Sequence, residues 1–133
     1  AWCGSVWLTT VESEVPPVIK EKMVAANSSQ TTRSRSRTGK HSRQLVSPWT
    51  QAWESEQAPD PLPMPLQPMV AEPALQKVAK LAEGGHDGAR DLATYWVGQG
   101  VGLMNQSISA SDVVQEFKED FVEAYERLTG FVS

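Results

Sequence analysis

Cysteine is almost absent from this 133-residue chain, and that scarcity limits its class. Cys3 is the one cysteine, so no internal disulfide can form. Small secreted domains commonly depend on disulfides, whereas reducing compartments keep thiols free. We therefore expect a cytoplasmic protein.

Long apolar runs and an excess of basic charge are also lacking. No run approaches the roughly 18–20 residues of a membrane span, and no basic-then-apolar leader is present. The net charge of −4 argues weakly against a general nucleic-acid binder. Hydrophobic residues make up 40% of the chain, so a packed core is possible. The length suits one domain or a piece of one, with no membrane and no nucleic-acid partner expected.

Familiar catalytic and metal-binding motifs are missing as well. The sequence has no P-loop, nucleophile elbow or H-E-x-x-H motif. His41 and His86 have no ligand residue at metal spacing, so we expect two surface histidines and no metal site. The stretch YWVGQGVGLM is not a dinucleotide fingerprint, because Leu103 stands where the third glycine should be.

The first residues, AWCGSVWL, are apolar except for a glycine and a serine. They predict a strand over Ala1–Leu8 that is buried on both faces, as in a parallel sheet. A T-x-x-E capping box at Thr9–Glu12 predicts a helix start, and Pro16-Pro17 limits that helix or begins a second. Gly4-Ser5 between strand and helix suits a phosphate, because backbone and hydroxyl donors meet there. A tight turn without a ligand explains the same residues.

The middle of the chain is first basic and then rich in proline. TTRSRSRTGKHSR carries five lysines or arginines and no acid. Arg33, Arg35 and Arg37 would share one face of a strand. They could bind nucleic-acid phosphates, form a local anion site, or form a solvated edge strand that resists aggregation. The prolines of Gln57–Pro68 predict an extended connector.

Three helices are predicted in the C-terminal half. The first opens near Pro73 and ends at Gly84-Gly85, and the second runs over Ala89–Met104. Gln99, between two glycines, is sterically accessible there, and close helix packing explains Gly100 and Gly102. The third helix is capped by Ser109 or Ser111, is clearly amphipathic, and stops at Gly130.

One buried strand with several helices does not complete an α/β domain. A strand that is apolar on both faces needs neighbours on each side. We therefore expect the C-terminal end of a longer protein, divided into three parts. Residues 1–26 would form a strand and helix, residues 27–68 the basic strand-like segment and connector, and residues 69–133 the C-terminal helices.

Three stretches together resemble one protein family. AWCGSVWL, RSRTGKHSRQL and YWVGQGVGLM are similar, in this order, to segments of the nitronate monooxygenases, formerly called 2-nitropropane dioxygenases. The second stretch matches R-x-x-[ST]-G-[KR]-x-x-R and the third matches W-x-G-Q-x-x-x-L. The string WCGSVWLTT is typical of the actinobacterial-type branch.

This resemblance implies the fold and the cofactor. The chain would be the C-terminal fragment of an FMN-binding (β/α)8 TIM barrel, its last strand and helix, plus a mostly α-helical added region. Gly4 and Ser5 match the pair that holds the FMN phosphate, which such barrels bind after strands seven and eight. Trp2 and Cys3 match the two preceding positions, and Gln99 would be a further cofactor contact. The family's catalytic histidine lies upstream and matches neither histidine here.

The resemblance also implies the activity. A complete enzyme would oxidise alkyl nitronates with O2, whereas this fragment would be inactive without the missing N-terminal barrel half. An alternative is a flavin-dependent enoyl-acyl-carrier-protein reductase or an NAD(P)H:quinone reductase of the same barrel family. An alternative of another class is a non-enzymatic nucleic-acid-binding fragment that acts through Arg33–Arg43.

Overall fold

Helix dominates residues 3–132, which are the residues that this computed structural model describes. The α-helices are α1 (Pro17–Ala25), α2 (Pro48–Glu54), α3 (Leu66–Glu83), α4 (Asp87–Leu92) and α5 (Ala110–Val132). Three 3-10 helices span Ser5–Thr9, Ser28–Gln30 and Gln99–Leu103. Strands β1 (Thr31–Ser34) and β2 (Ser42–Leu45) pair antiparallel, Thr31 opposite Leu45. The described chain is therefore a helix-rich α/β structure with a two-stranded sheet.

The strand predicted over Ala1–Leu8 is wrong for its described part. Residues 1 and 2 lie outside the described residues, and Ser5–Thr9 is a 3-10 helix. Its backbone closes local bonds, from the Trp7 N–H to the Gly4 carbonyl at 3.3 Å for example. A parallel strand needs partners on both edges. Within the described residues β1 and β2 pair with each other, which leaves this segment without a ladder.

The prediction of a helix that opens at Thr9 is also wrong, whereas the prediction of a helix that begins at Pro16-Pro17 is confirmed. The first α-helix begins at Pro17, where a proline costs no hydrogen bond, and ends at Ala25. Glu12 caps a different helix, because its carboxylate accepts the Ala110 N–H of α5 at 2.9 Å. A carboxylate is favourable at a helix N-terminus.

The helix predicted over Ala89–Met104 is interrupted by an extended segment. Helix α4 ends at Leu92, and the backbone then runs along β2. The Leu45 N–H donates to the Tyr95 carbonyl at 3.1 Å, and the Val97 N–H donates to the Arg43 carbonyl at 3.2 Å. Sheet pairing thus replaces the helix in a stretch whose β-branched, aromatic and glycine residues favour helix poorly.

Helix α3 starts earlier than predicted. Pro73 lies inside it and not at its start, so the carbonyl of Met69 has no N–H partner one turn later. Water can satisfy that carbonyl, since the Met69 residue is 72% exposed. The predicted end is confirmed: Gly84 follows the helix and Gly85 has a φ of +87°.

The hydrophobic core lies between α1, α3, α4 and the segment that follows α4. Its buried members are Val15, Val18, Ile19, Met23, Leu45, Ala82, Ala89, Ala93, Val97, Val101 and Met104. The predicted amphipathic helix is confirmed as α5, but it continues through Gly130 to Val132. One glycine costs a helix only about 1 kcal/mol. Val113 is the buried residue of α5, so its apolar face is largely exposed.

Candidate functional site

Two distant parts of the chain meet at a hydrogen bond between Ser5 and Gly98. The Gly98 N–H donates to the Ser5 hydroxyl oxygen at 2.7 Å. A Cβ at position 98 would lie 3.2 Å from the same oxygen, a contact so tight that Ser5 would have to move slightly. The structure therefore brings together the segments AWCGSVWL and YWVGQGVGLM, each of which contains candidate cofactor residues.

The Ser5 side of this contact is the start of the first 3-10 helix. Cys3 and Gly4 are exposed and Ser5 is half-buried, so the helix start is open to solvent. The first N–H groups of a helix have no partner inside it, which makes its N-terminus suitable for an anion. Trp7 fixes the approach of the chain, because its indole N–H donates to the Cys3 carbonyl at 2.8 Å. Trp2, the remaining candidate here, lies outside the described residues.

The Gly98 side is the start of the third 3-10 helix. Gly98 precedes that helix in extended conformation, and Gln99, its first residue, is exposed. The structure thus brings Gln99 within one residue of the contact to Ser5. Close packing is confirmed for Gly102, whose Cβ would lie 3.0 Å from the Ser28 nitrogen, and is wrong for Gly100, around which nothing lies within 4 Å.

The three arginines of the basic segment do not share a solvated face, which corrects the edge-strand interpretation. Strand β1 ends at Ser34, so only Arg33 lies in it, and it is exposed. Arg35 folds back on its own loop and donates to the Gly39 carbonyl at 3.0 Å. Arg37 is buried against Glu72 of α3. The guanidinium groups of Arg35 and Arg37 are therefore bound within the chain.

Sequence reasoning missed a cluster around Arg37. Its Nε and Nη2 donate to the Glu72 carboxylate at 2.6 and 3.1 Å, and its Cζ lies 3.7 Å from the Trp96 ring centroid. These residues are far apart in sequence. The one sequence signal that could have indicated this cluster is Trp96, because it belongs to the W-x-G-Q stretch. The pair lines a cavity of about 120 Å³, together with side chains that include Ile19 and Leu75.

Neither His41 nor His86 belongs to a group of side chains, among the described residues, that could bind a metal ion. His41 is exposed, and His86 caps α4, accepting the Ala89 N–H on Nδ1 at 3.3 Å. Among residues 3–132, no three histidine, cysteine or acidic side chains are grouped as metal ligands. In the same range no helix combines the length and apolarity that a membrane crossing needs.

Comparison with known proteins identifies the family. The family model described as nitronate monooxygenase matches residues 1–120. The chain belongs to the nitronate monooxygenase family. Rv1533 of Mycobacterium tuberculosis, named as a monooxygenase, is 49% identical over 132 residues, which are 98% of this chain and 35% of that protein.

Two further similarities agree with this family. A Bacillus subtilis protein named as a nitronate monooxygenase is 28% identical over 121 residues, which are 90% of this chain and 33% of that protein. The structure of FabK from Thermotoga maritima is similar, with a TM-score of 0.65 and 28% identity over 94% of this chain and 37% of that one. The chain therefore spans about a third of the length of each of these proteins.

Proposed function

We propose that this chain is the C-terminal part of an FMN-dependent oxidoreductase that oxidises alkyl nitronates with O2. The carrying observation is the contact between Ser5 and Gly98, which unites two family-like segments at a solvent-facing helix start. Membership of the family and the FabK-like structure support a (β/α)8 barrel for the longer protein. Residues 1–26 would follow its last strand and include the helix after it, residues 27–68 would form the basic segment and connector, and residues 69–133 the C-terminal helices.

The residues at this contact suit the phosphate of FMN. Gly4 is exposed and a Cβ there would meet nothing within 4 Å, so an anion can approach the backbone. Ser5 keeps its hydroxyl proton available, because its oxygen is an acceptor in the bond from Gly98. These donors are neutral dipoles that favour a negative group. Gly4, Ser5 and Gln99 would hold the phosphate, with Trp2 and Cys3 adjoining.

The work of this chain would be binding and orientation. FMN, when bound, supplies the redox chemistry, which transfers electrons between the nitronate and O2. Ser5 and the backbone around it would fix the phosphate end and so set the position of the flavin ring. No residue of this chain is proposed as the catalytic acid or base. The nitronate, O2 and the remaining barrel are the partners that this function requires.

The similarity to FabK favours a second candidate: a flavin-dependent enoyl-acyl-carrier-protein or quinone reductase that uses NAD(P)H. An experiment can separate the two. This chain would replace the matching third of the M. tuberculosis relative, and the hybrid would be purified and assayed. Our proposal expects bound FMN and nitronate-dependent O2 consumption without NAD(P)H. Oxidation of NAD(P)H without nitronate turnover would favour the reductase, and a folded hybrid that lacks flavin would contradict both.

Ser5→Ala in that hybrid should weaken FMN binding. A lost hydrogen bond to a charged group costs about 1.5–3 kcal/mol, so the Kd should rise roughly 10- to 150-fold. Ser5→Asp should be worse, because it places like charge against the phosphate. Titration with FMN and with riboflavin, which lacks the phosphate, measures the effect, and riboflavin affinity should hardly change.

Ser107→Ala is the matched control, since the Ser107 hydroxyl also makes one hydrogen bond to the backbone, donating to the Thr9 carbonyl at 2.7 Å outside the site. It should leave both affinities unchanged. Equal FMN retention by the Ser5 variants and this control would show that Ser5 is only structural.

A further inference from the structure

Arg37 is a buried cation with a dedicated counterion. Its side chain is 7% exposed, and a charge so far from water needs a paired, hydrogen-bonded partner. Glu72 supplies this partner in a two-pronged arrangement, with N···O distances of 2.6 and 3.1 Å. A planar guanidinium matches a carboxylate in this geometry, which lysine cannot reproduce. The pair connects the β1–β2 loop to α3.

The same guanidinium also contacts aromatic rings. Its Cζ lies 3.7 Å from the Trp96 ring centroid and 5.1 Å from that of Tyr95. A desolvated cation over an aromatic face is favourable, and tryptophan provides the strongest such contact. Arg37 Nη1 is buried and has no hydrogen-bond partner among the described residues. The guanidinium is thus held by Glu72 through hydrogen bonds and by Trp96 through stacking.

Trp96 stands two residues before the contact that defines the candidate site. Its backbone is bridged to Gln44 of β2, and the next residue, Val97, donates to the Arg43 carbonyl. Gly98 follows and donates to the Ser5 hydroxyl. The backbone of Trp96 and Val97 is thus held by β2, and that of Gly98 by Ser5. The Trp96 side chain is held by Arg37.

We propose that Arg37 and Glu72 form a positioning pair for the phosphate site. By fixing Trp96, they hold Gly98 against Ser5 and so set the affinity for the FMN phosphate without touching it. This inference rests on the proposed function, because it assigns the pair a role toward that site. A merely structural pair would join the β1–β2 loop to α3 without affecting Gly98.

The test uses the hybrid with the M. tuberculosis relative described above, with two readouts in NMR spectra. Amide hydrogen exchange reports the bond from Gly98 to Ser5, and titration with FMN reports ligand affinity through shifts at Gly4, Ser5 and Gln99. Arg37→Lys keeps the charge but loses the paired hydrogen bonds to Glu72 and the stacking on Trp96. We expect Gly98 exchange to accelerate at least tenfold, FMN affinity to fall three- to tenfold, and exchange at Met23 in the core to change little.

Trp96→Leu is the second variant, because it removes the stacking and leaves the ion pair in place. It should have the same effects even where Arg37→Lys fails to fold. The matched control is Arg90→Lys, which alters an exposed ion pair between Arg90 and Glu21, 2.9 Å apart, that makes no stacking contact with Trp96. It should change neither readout.

Different results would contradict the positioning role and the phosphate site. If the unaltered hybrid binds FMN and a folded Arg37→Lys or Trp96→Leu variant shows unchanged Gly98 exchange and unchanged affinity, the positioning role is wrong and the phosphate site stands. If the unaltered hybrid shows no FMN response at Gly4, Ser5 or Gln99, the phosphate site is contradicted, and the positioning role is contradicted with it.

Discussion

Gly39 shows at the residue scale why one position in the basic segment must be glycine. Its φ of +82° lies in the left-handed region, which a side chain rarely adopts. A Cβ there would overlap the Leu62 carbonyl oxygen and lie 2.9 Å from the Met64 nitrogen. Backbone atoms of the proline-rich connector cannot move aside as a flexible side chain could. The glycine thus lets the β1–β2 loop and the connector touch.

Gly39→Ala should therefore destabilise the fold by at least about 2 kcal/mol, the sum of left-handed strain and steric overlap. Gly130→Ala is the matched control, because Gly130 is in α5 with nothing within 4 Å of its Cβ. That change should stabilise by up to about 1 kcal/mol. Urea unfolding followed by circular dichroism measures both, and equal effects of the two changes would contradict the packing argument.

Lys22 connects two helices at the element scale. It extends from α1 to the C-terminal end of α4, where its Nζ donates to the carbonyls of Arg90, Asp91 and Ala93 at 2.9, 3.0 and 2.5 Å. A cation at a helix C-terminus satisfies carbonyls that have no partner within the helix. Burial lowers the pKa of Lys22 from 10.5, because desolvation outweighs the attraction of Asp91, and the Arg90 charge lowers it further.

This lowered pKa predicts how stability depends on pH. Between the folded-state pKa and 10.5, the unfolded chain keeps the Lys22 proton that the folded chain has lost. The unfolded state then binds more protons, so this group's contribution to the free energy of unfolding rises with pH through that window. Below the window the cost of burying the charge is fully present.

Lys22→Met should remove this rise, which is measured by urea unfolding of both proteins at a series of pH values up to 10.5. The exposed Lys77→Met is the control and should follow the unaltered chain. A Lys22→Met variant whose stability changes with pH in parallel with the unaltered chain would contradict the assigned desolvation.

The whole molecule presents a long apolar stripe on α5. Phe117 meets Trp7 edge-to-face, with ring centroids 6.0 Å apart, near the start of the helix. Farther along, Phe121 is 71% and Phe131 is 87% exposed, and Tyr125 and Leu128 are exposed as well. Glutamates and aspartates occupy the opposite side, which is the usual polar side of an amphipathic helix. An exposed apolar surface of this extent is a site for association.

The isolated chain should therefore self-associate and bind an apolar dye. Replacing Phe121 and Leu128 by glutamate should reduce both, since it places charge in the middle of the stripe. Glu119→Gln with Glu123→Gln on the polar side is the control and should reduce neither. Light scattering after size-exclusion chromatography, together with dye fluorescence, measures the effect. An unaltered chain that stays monomeric and dye-free would contradict the prediction.

Local patterns in the sequence predict several elements of the fold. The proline at the start of α1, the glycines after α3 and the apolar repeat of α5 all depend on interactions within a turn or two of helix, so the sequence alone predicts them. The same holds for the family, because three short stretches kept their residues and their order. Gly4, Ser5 and Gln99 could be named as candidates because they fall within two of those stretches.

Long-range contacts decided the rest. Whether Ser5 lies in a strand or a 3-10 helix depends on the available sheet partners and not on its neighbours in sequence. Trp96 lies outside the predicted helix because its backbone pairs with β2. The pairing of Arg37 with Glu72 joins residues 35 positions apart, and no local pattern specifies it. The sequence by itself therefore determined the family, helices α1 and α5 and the end of α3, and it named the candidate phosphate residues. The tertiary structure decided which residues meet, because burial and hydrogen-bond partners come from distant parts of the chain.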